Sequence, residues 1–233
     1  MSLVIETKDL WRVYPSKNHA EGIPALRGIN LQVETGTFVT LKGRSGSGKT
    51  TLLNFLAGLD KPTSGTVNVL GHDLMQMSDD ELTAWRRDQI GLVFQSFGLL
   101  PTLSAYENIE LLLRIKGDEY EARDKRALEC LEIVGLGKWK DHRPYEMSGG
   151  QQQRVAIARA LANEAKLILA DEPTGELDSK TTHELLKFFR ELVEEHKITM
   201  LMVSHDSLVD EYVHEVLELR DGMILVEGQK SKV

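Results

Sequence analysis

Nine residues, Gly43-Arg44-Ser45-Gly46-Ser47-Gly48-Lys49-Thr50-Thr51, restrict the fold of this chain more than any other stretch. They follow an apolar run, Phe38-Val39-Thr40-Leu41, and lead into Leu52, Leu53, Phe55 and Leu56 at helical spacing. A strand that breaks at a glycine turn and resumes as a helix is the setting a phosphate-binding P-loop requires. Glycines let the backbone curl until successive N–H groups face one anion, and the helix N-terminus adds partial positive charge. There Lys49 reaches the β- and γ-phosphates of a nucleotide, and the Thr50 hydroxyl meets Mg²⁺. A Gly/Ser-rich loop that carries a lysine by chance would need neither the strand before it nor the helix after it.

At 233 residues the chain suits one or two small domains with a real hydrophobic core. The net charge of −8 gives no global positive field to recruit a polyanion, which argues against nucleic acid as a partner. A nucleotide must be held by local geometry. Cys130 is the only cysteine, so an internal disulfide and a multi-thiolate metal site are both excluded; it reads as a small core residue on a helix. Met1 to Trp11 shows no signal peptide, and no apolar run approaches the roughly 18 residues that span a bilayer. These features predict a cytoplasmic protein that reaches a membrane only through a partner.

Val4-Ile5-Glu6 and Ala25–Val33 alternate as strands do, with a polar loop over Pro15–Pro24 between them. Thr66–Leu70 reads as a strand ended by Gly71. Ser78 with Glu81 reads as the capping box of a helix that reaches Arg87, and Ile90–Gln95 as a short buried strand. From Thr102 to Ala162 the pattern is helical: Ala105–Lys116, Tyr120–Val134 and Gly150–Leu161. Strand and helix then alternate again, over Leu167–Ala170, Ser179–His196 and Thr199–Val203. Val216–Leu219 and Met223–Val226 flank Arg220-Asp221-Gly222, a hairpin signal. The acidic runs Asp79–Glu81 and Glu191–Glu195 read as solvated helix faces. Such alternation predicts an α/β fold with a largely parallel sheet covered on both faces, and a helical insert after Gln95.

Two further segments carry chemistry. In Met147-Ser148-Gly149-Gly150-Gln151-Gln152-Gln153-Arg154, Ser148 is a good N-cap and two glycines let an anion approach the start of a helix. By itself the segment reads equally as an ordinary helix start. Leu167-Ile168-Leu169-Ala170-Asp171-Glu172 is an apolar strand ending in two carboxylates, which places them at the carboxyl edge of the sheet beside the P-loop. A solvated acidic turn is the plain alternative.

Taken in order, these segments resemble the ATP-binding-cassette (ABC) ATPases over nearly the whole chain. The resemblance is carried by Gly43–Thr51, Gln95 after a strand, Ser148-Gly149-Gly150-Gln151, Asp171-Glu172, Gly175-Glu176-Leu177-Asp178, and His205 in Val203-Ser204-His205-Asp206. It implies a RecA-like P-loop core with an N-terminal antiparallel β subdomain over residues 1–95 and 165–233, and a helical subdomain over 96–164 carrying the signature. It further implies ATP and Mg²⁺ as ligands. Gly43, Arg44, Ser45, Gly46, Ser47, Gly48, Lys49, Thr50 and Thr51 would hold the phosphates, with the Tyr14 ring stacked on adenine. Thr50, Gln95 and Asp171 would serve the metal, Asp171 through water. The catalytic set would be Glu172 as general base, His205 against the γ-phosphate, Lys49 and Gln95. Met147 stands where the signature's usual first residue is leucine, an apolar exchange costing less than about 1.5 kcal/mol. Glu176 stands where many relatives have asparagine.

The signature lies roughly a hundred residues after the P-loop, in the helical region, out of reach of the ATP its own chain holds. The resemblance therefore implies a head-to-tail homodimer. Ser148, Gly149, Gly150 and Gln151 of one copy would grip the γ-phosphate held by the other, and Asp178 would lie at the seam. Hydrolysis would then open what ATP had closed.

Asn68–Met77, Ile90–Phe97 with Leu99-Leu100-Pro101, Thr174–Ser179 and the extended loop before Ala25-Leu26-Arg27-Gly28 are similar to the lipoprotein-release and macrolide-efflux (LolD/MacB-like) branch. With the chain ending at Val233, a separate transmembrane permease is expected, with or without a periplasmic or extracellular adaptor. The permease would dock near Gln95–Tyr106, and hydrolysis would drive efflux or mechanical work outside the membrane (mechanotransmission). The cassette would then be peripheral on the inner face of the cell membrane. A second reading is a regulatory cassette that transmits force to a cell-envelope partner and transports nothing. A soluble cassette of DNA repair or translation is disfavoured, because the coiled coil, zinc motif or second cassette usual in such proteins is not visible.

Overall fold

The computed structural model describes residues 2–16 and 21–225. Its strands form two sheets. The first is antiparallel, in the order β2-β1-β4-β5, from β1 (Leu3–Tyr14), β2 (Ile23–Glu34), β4 (Ser64–Val69) and the two-residue β5 (His72–Asp73). The second runs β10-β9-β3-β8-β7-β6, from β3 (Phe38–Lys42), β6 (Ile90–Val93), β7 (Leu167–Asp171), β8 (Thr199–Val203), β9 (Glu215–Arg220) and β10 (Met223–Leu225). All its pairings are parallel except that of β10 with β9. The helices are α1 (Lys49–Leu56), α2 (Asp79–Gln89), α3 (Ala105–Lys116), α4 (Tyr120–Ile133), α5 (Gly149–Ala162) and α6 (Ser179–His196). This is the mixed α/β cassette fold that the sequence predicts.

Side chains of a strand point alternately to the two faces of its sheet, and the central strands here are apolar on both. In β7, Leu167 and Leu169 enter one core while Ile168 and Ala170 enter the other; in β8, Leu201 and Val203 part in the same way from Met200 and Met202. The first core lies between the parallel sheet, α1 and the antiparallel sheet, with Leu10, Leu26, Leu52 and Phe55 fully enclosed. The second joins the other face to α3, α4, α5 and α6 through Ile109, Leu131, Ile157 and Phe189. Cys130 and Met147 are buried in this second core, and burial pushes the Cys130 thiol up to about 11.

The caps follow from residue chemistry. Ser78, Ser104 and Ser148 each accept a bond from the N–H three residues on, and the side-chain oxygens of Glu81, Glu107 and Gln151 accept in turn from the cap's own N–H. Helix α1 differs. Its N-cap is Gly48, with no side-chain cap and no acidic residue in the first turn. Its leading N–H groups, which have no intrahelical acceptor, face the P-loop. At the β9–β10 turn both Asp221 (φ 49°) and Gly222 (φ 79°) are left-handed, as a tight right-twisted hairpin demands.

Strand β1 is longer than the Val4–Glu6 read from alternation. Its pairing with β2 shifts register between Thr7 and Leu10 and again before Val13, with Asp9 at φ 43°. These irregularities carry charged Lys8 and Asp9 into the middle of a strand and break the period of two. The polar loop expected over Pro15–Pro24 shrinks, since Ile23 and Pro24 pair in β2; residues 17–20, and Val226 of the expected hairpin, lie outside the described residues.

Candidate active site

Strand β3 ends at Lys42, and the next six residues turn the chain into α1 around a cleft of about 620 Å³. Two glycines are obligatory there. A Cβ on Gly43 would sit 2.2 Å from the Leu219 carbonyl oxygen, and one on Gly48, at φ 104°, would sit 2.6 Å from that of Ala25. Lys49 is buried and its ammonium donates to the carbonyls of Gly43 (2.8 Å) and Arg44 (3.1 Å), so its charge is fixed against the loop. The loop residues, Ala25, Glu172 and His205 line the cleft together, although the last two are more than a hundred residues away in sequence.

The parallel sheet makes this convergence. Strands β3, β7 and β8 are adjacent and point the same way, so the chain leaves all three at the same edge. Asp171, at the end of β7, accepts from the Thr50 hydroxyl at 3.3 Å. Burial raises its pKa and the neighbouring Glu172 charge adds to that, while the Thr50 bond and Lys49 oppose it. Glu172 follows in a left-handed conformation (φ 46°), unusual for a side chain of its size, with its N–H bonded to the Val203 carbonyl at 2.9 Å. Its carboxylate lies 3.3 Å from Nδ1 of the exposed His205. A carboxylate and an imidazole thus stand in contact across the cleft from a fixed ammonium, an arrangement suited to phosphoryl transfer to water.

Other residues singled out in the sequence lie apart from this cleft. Tyr14 ends β1 beside Ile23 and does not line it, though Ala25, two residues along β2, does. Gln95 is exposed, with its amide nitrogen beside Gly175. Ser148, Gly149, Gly150 and Gln151 open α5 elsewhere, where Gly149 packs near Leu177 and Phe97 and Gly150 near Thr181. Asp178 caps α6, accepting from the Thr181 N–H (3.0 Å) and hydroxyl (2.7 Å); these two bonds hold its carboxyl below the usual range.

Two supports escaped sequence reading. Arg159, within the small apolar run of α5, donates to the Phe97 carbonyl at 3.1 Å and also to that of Gly98, tying the signature helix to the segment after Gln95. Its signal was a cation inside the apolar run Val155–Ala162. Lys42 pairs with both oxygens of Asp210 (2.7 and 2.9 Å), joining the entrance of the P-loop to the short helix after His205.

A P-loop on a parallel sheet, with an acidic strand end and a histidine against its last carboxylate, is the arrangement of a nucleotide-hydrolysing cassette. The family model described as ABC transporter matches residues 26–175. The ABC transporter ATP-binding protein MJ1508 of Methanocaldococcus jannaschii is 47% identical over 95% of this chain and 98% of its own. The macrolide export ATP-binding/permease protein MacB of Syntrophobacter fumaroxidans is 45% identical over 97% of this chain, which spans only 32% of that protein. Among solved structures, the dimeric post-hydrolysis state of the cassette MJ0796 bound to ADP and Pi matches with TM-score 0.85 and 45% identity, over 94% of this chain and 96% of that one. The chain belongs to the ABC transporter family, as one of its ATP-binding cassettes, and is an ATPase.

Proposed function

We propose that two copies of this cassette close head to tail around two ATP molecules and that the motion drives a separate membrane permease. The observation that carries this reading is the separation just described: Lys49, Thr50, Glu172 and His205 share a cleft, while the Ser148–Gln151 segment opens on another part of the surface. A second copy would bring that segment to the phosphates. The dimeric form of the MJ0796 cassette supports it.

Within each site the P-loop amides and Lys49 hold the phosphates, and the Tyr14 ring takes the base. Glu172 polarises or deprotonates the attacking water, and His205 holds that water and the γ-phosphate in line. The Thr50 hydroxyl, the Asp171 carboxylate and the Gln95 amide are hard oxygen donors, the kind magnesium takes when phosphate and water complete its shell. When bound, that ion neutralises charge on the phosphate oxygens. The bond Asp171 accepts from Thr50 already places two of these donors together.

No helix among the described residues is long and apolar enough to cross a membrane. The match to about a third of an ATP-binding/permease protein supports a permease as the partner. Exposed Leu59 and Phe94 line an apolar groove of about 360 Å³ between α2, β6 and α3, suited to a docked helix of that partner. In this reading the helices of 96–164 act as a subdomain that carries the signature and one wall of this groove, and the cassette sits on the inner face of the membrane. The relation to MacB favours efflux or mechanotransmission over uptake.

Mixing two inactive variants tests the shared site. Glu172→Gln and Ser148→Arg should each be inactive alone, and a mixed dimer restores one intact site. An equimolar mixture should regain roughly a quarter of wild-type turnover if copies pair at random. Full turnover by Ser148→Arg alone would refute the sharing.

A further inference from the structure

Strand β1 and the segment after α1 are joined more tightly than strand pairing requires. Thr63 donates its N–H to the Trp11 carbonyl at 2.8 Å, and its hydroxyl accepts from the Val13 N–H at 3.0 Å. Between them Arg12 reaches across. One guanidinium nitrogen donates to the Lys61 carbonyl and another pairs with Asp60 at 3.0 Å. The guanidinium carbon then lies 4.5 Å from the centre of the Tyr14 ring and 5.8 Å from that of Phe55, a fully buried residue of α1.

A ring with a cation on one face is stabilised there and offers the other face for stacking. The guanidinium is itself immobilised at two points, so the ring beside it loses little further freedom when a base arrives. Both anchors belong to the segment leaving α1, the helix whose first turn meets the phosphates. Arg12 thereby sets the distance between the tyrosine and the P-loop.

We infer that Arg12 is a positioning residue for nucleotide recognition, holding the Tyr14 ring as a platform for the adenine base and tying that platform to α1. The inference rests on the reading of Tyr14 as the base contact. It makes a distinction no structural role makes: Arg12 should matter for a ligand with a base and not for phosphates alone.

Binding of Mg·ATP and of Mg·tripolyphosphate would be compared by calorimetry on the full chain, for the wild type and for Arg12→Ala, Tyr14→Ala and the double variant. Arg12→Ala should weaken ATP by about threefold to tenfold and leave tripolyphosphate unchanged. KM for ATP should rise by the same factor at nearly constant kcat. Removal of Arg12 should cost nothing more once Tyr14 is gone. Asp60→Asn keeps the guanidinium and loosens its anchor, so it should show a smaller loss of the same kind, and it carries the test if Arg12→Ala lowers Tm sharply. Equal losses for both ligands would overturn the inference. So would a base preference that falls in Tyr14→Ala yet survives in both the Arg12 and Asp60 variants. A base preference untouched in Tyr14→Ala would instead remove Tyr14 from the base.

Discussion

Glu172 carries the chemical step in this account, and its backbone shows how. A glutamate held at φ 46° costs roughly 1–3 kcal/mol over an ordinary conformation, and the bond from its N–H to the Val203 carbonyl helps to hold it there. The turn brings its carboxylate to the lining of the cleft, in contact with His205. Glu172→Gln keeps the shape and removes the basic oxygen. ATP affinity should stay within a few-fold, while single-turnover hydrolysis falls by about a hundredfold to ten-thousandfold. Turnover near the wild-type rate in quench-flow would take the general-base role from this residue. At this scale much was legible in advance, because Gly43–Thr51 and Asp171-Glu172 are contiguous and their chemistry needs those residue types in that order. Arg12, Lys42 and Arg159 were not, because their partners lie 49, 168 and 62 residues away along the chain. No local pattern encodes a side chain that finishes on a distant carbonyl.

At the scale of elements, the seam between β3 and β9 contains a pH-sensitive support. The Phe38 N–H donates to Nδ1 of His214 at 2.9 Å, so that nitrogen must be unprotonated in the fold. Burial lowers the His214 pKa below 6.5, and the charge of Arg190 lowers it further against a smaller opposing effect of Glu194. Above that value neither the folded nor the unfolded ring carries a proton, and the contribution to stability is flat. As pH falls through 6.5 the unfolded chain takes the proton first, so stability drops until the folded pKa is passed. His214→Asn keeps an acceptor that cannot titrate. Its Tm should fall less between pH 7.5 and 5.5 than that of the wild type, and parallel curves would remove His214 from this role. The β3 and β8 apolar runs and the caps at Ser78 and Ser148 were readable because each is a local rule obeyed without interruption. Full-length β1 was not, because its register shifts place charged residues where alternation expects apolar ones. Asp178 shows a related limit: the family resemblance implied a place at the seam between copies, while its capping of α6 was not read from the sequence.

For the whole molecule, one parallel sheet divides two cores and gathers three strand ends at one edge. That edge holds the P-loop. Helix α5, packed on the opposite face of the sheet, begins at Ser148–Gln151, and Arg159 links it to the segment that follows Gln95. On the proposed reading each chain carries two different halves of a site, and pairing two copies about a twofold axis would complete both sites at once. The order of the motifs along the sequence made this architecture legible. The identity of the proposed permease and of any cargo was not, since every motif in that order concerns the nucleotide.

The most direct measurement is the mass of the Glu172→Gln protein in solution, by sedimentation velocity, with saturating Mg·ATP and then with Mg·ADP. Two chains should travel together with ATP and come apart with ADP. A particle of one chain that has bound ATP fully, at every protein concentration tested, would contradict the idea that each copy supplies what the other lacks.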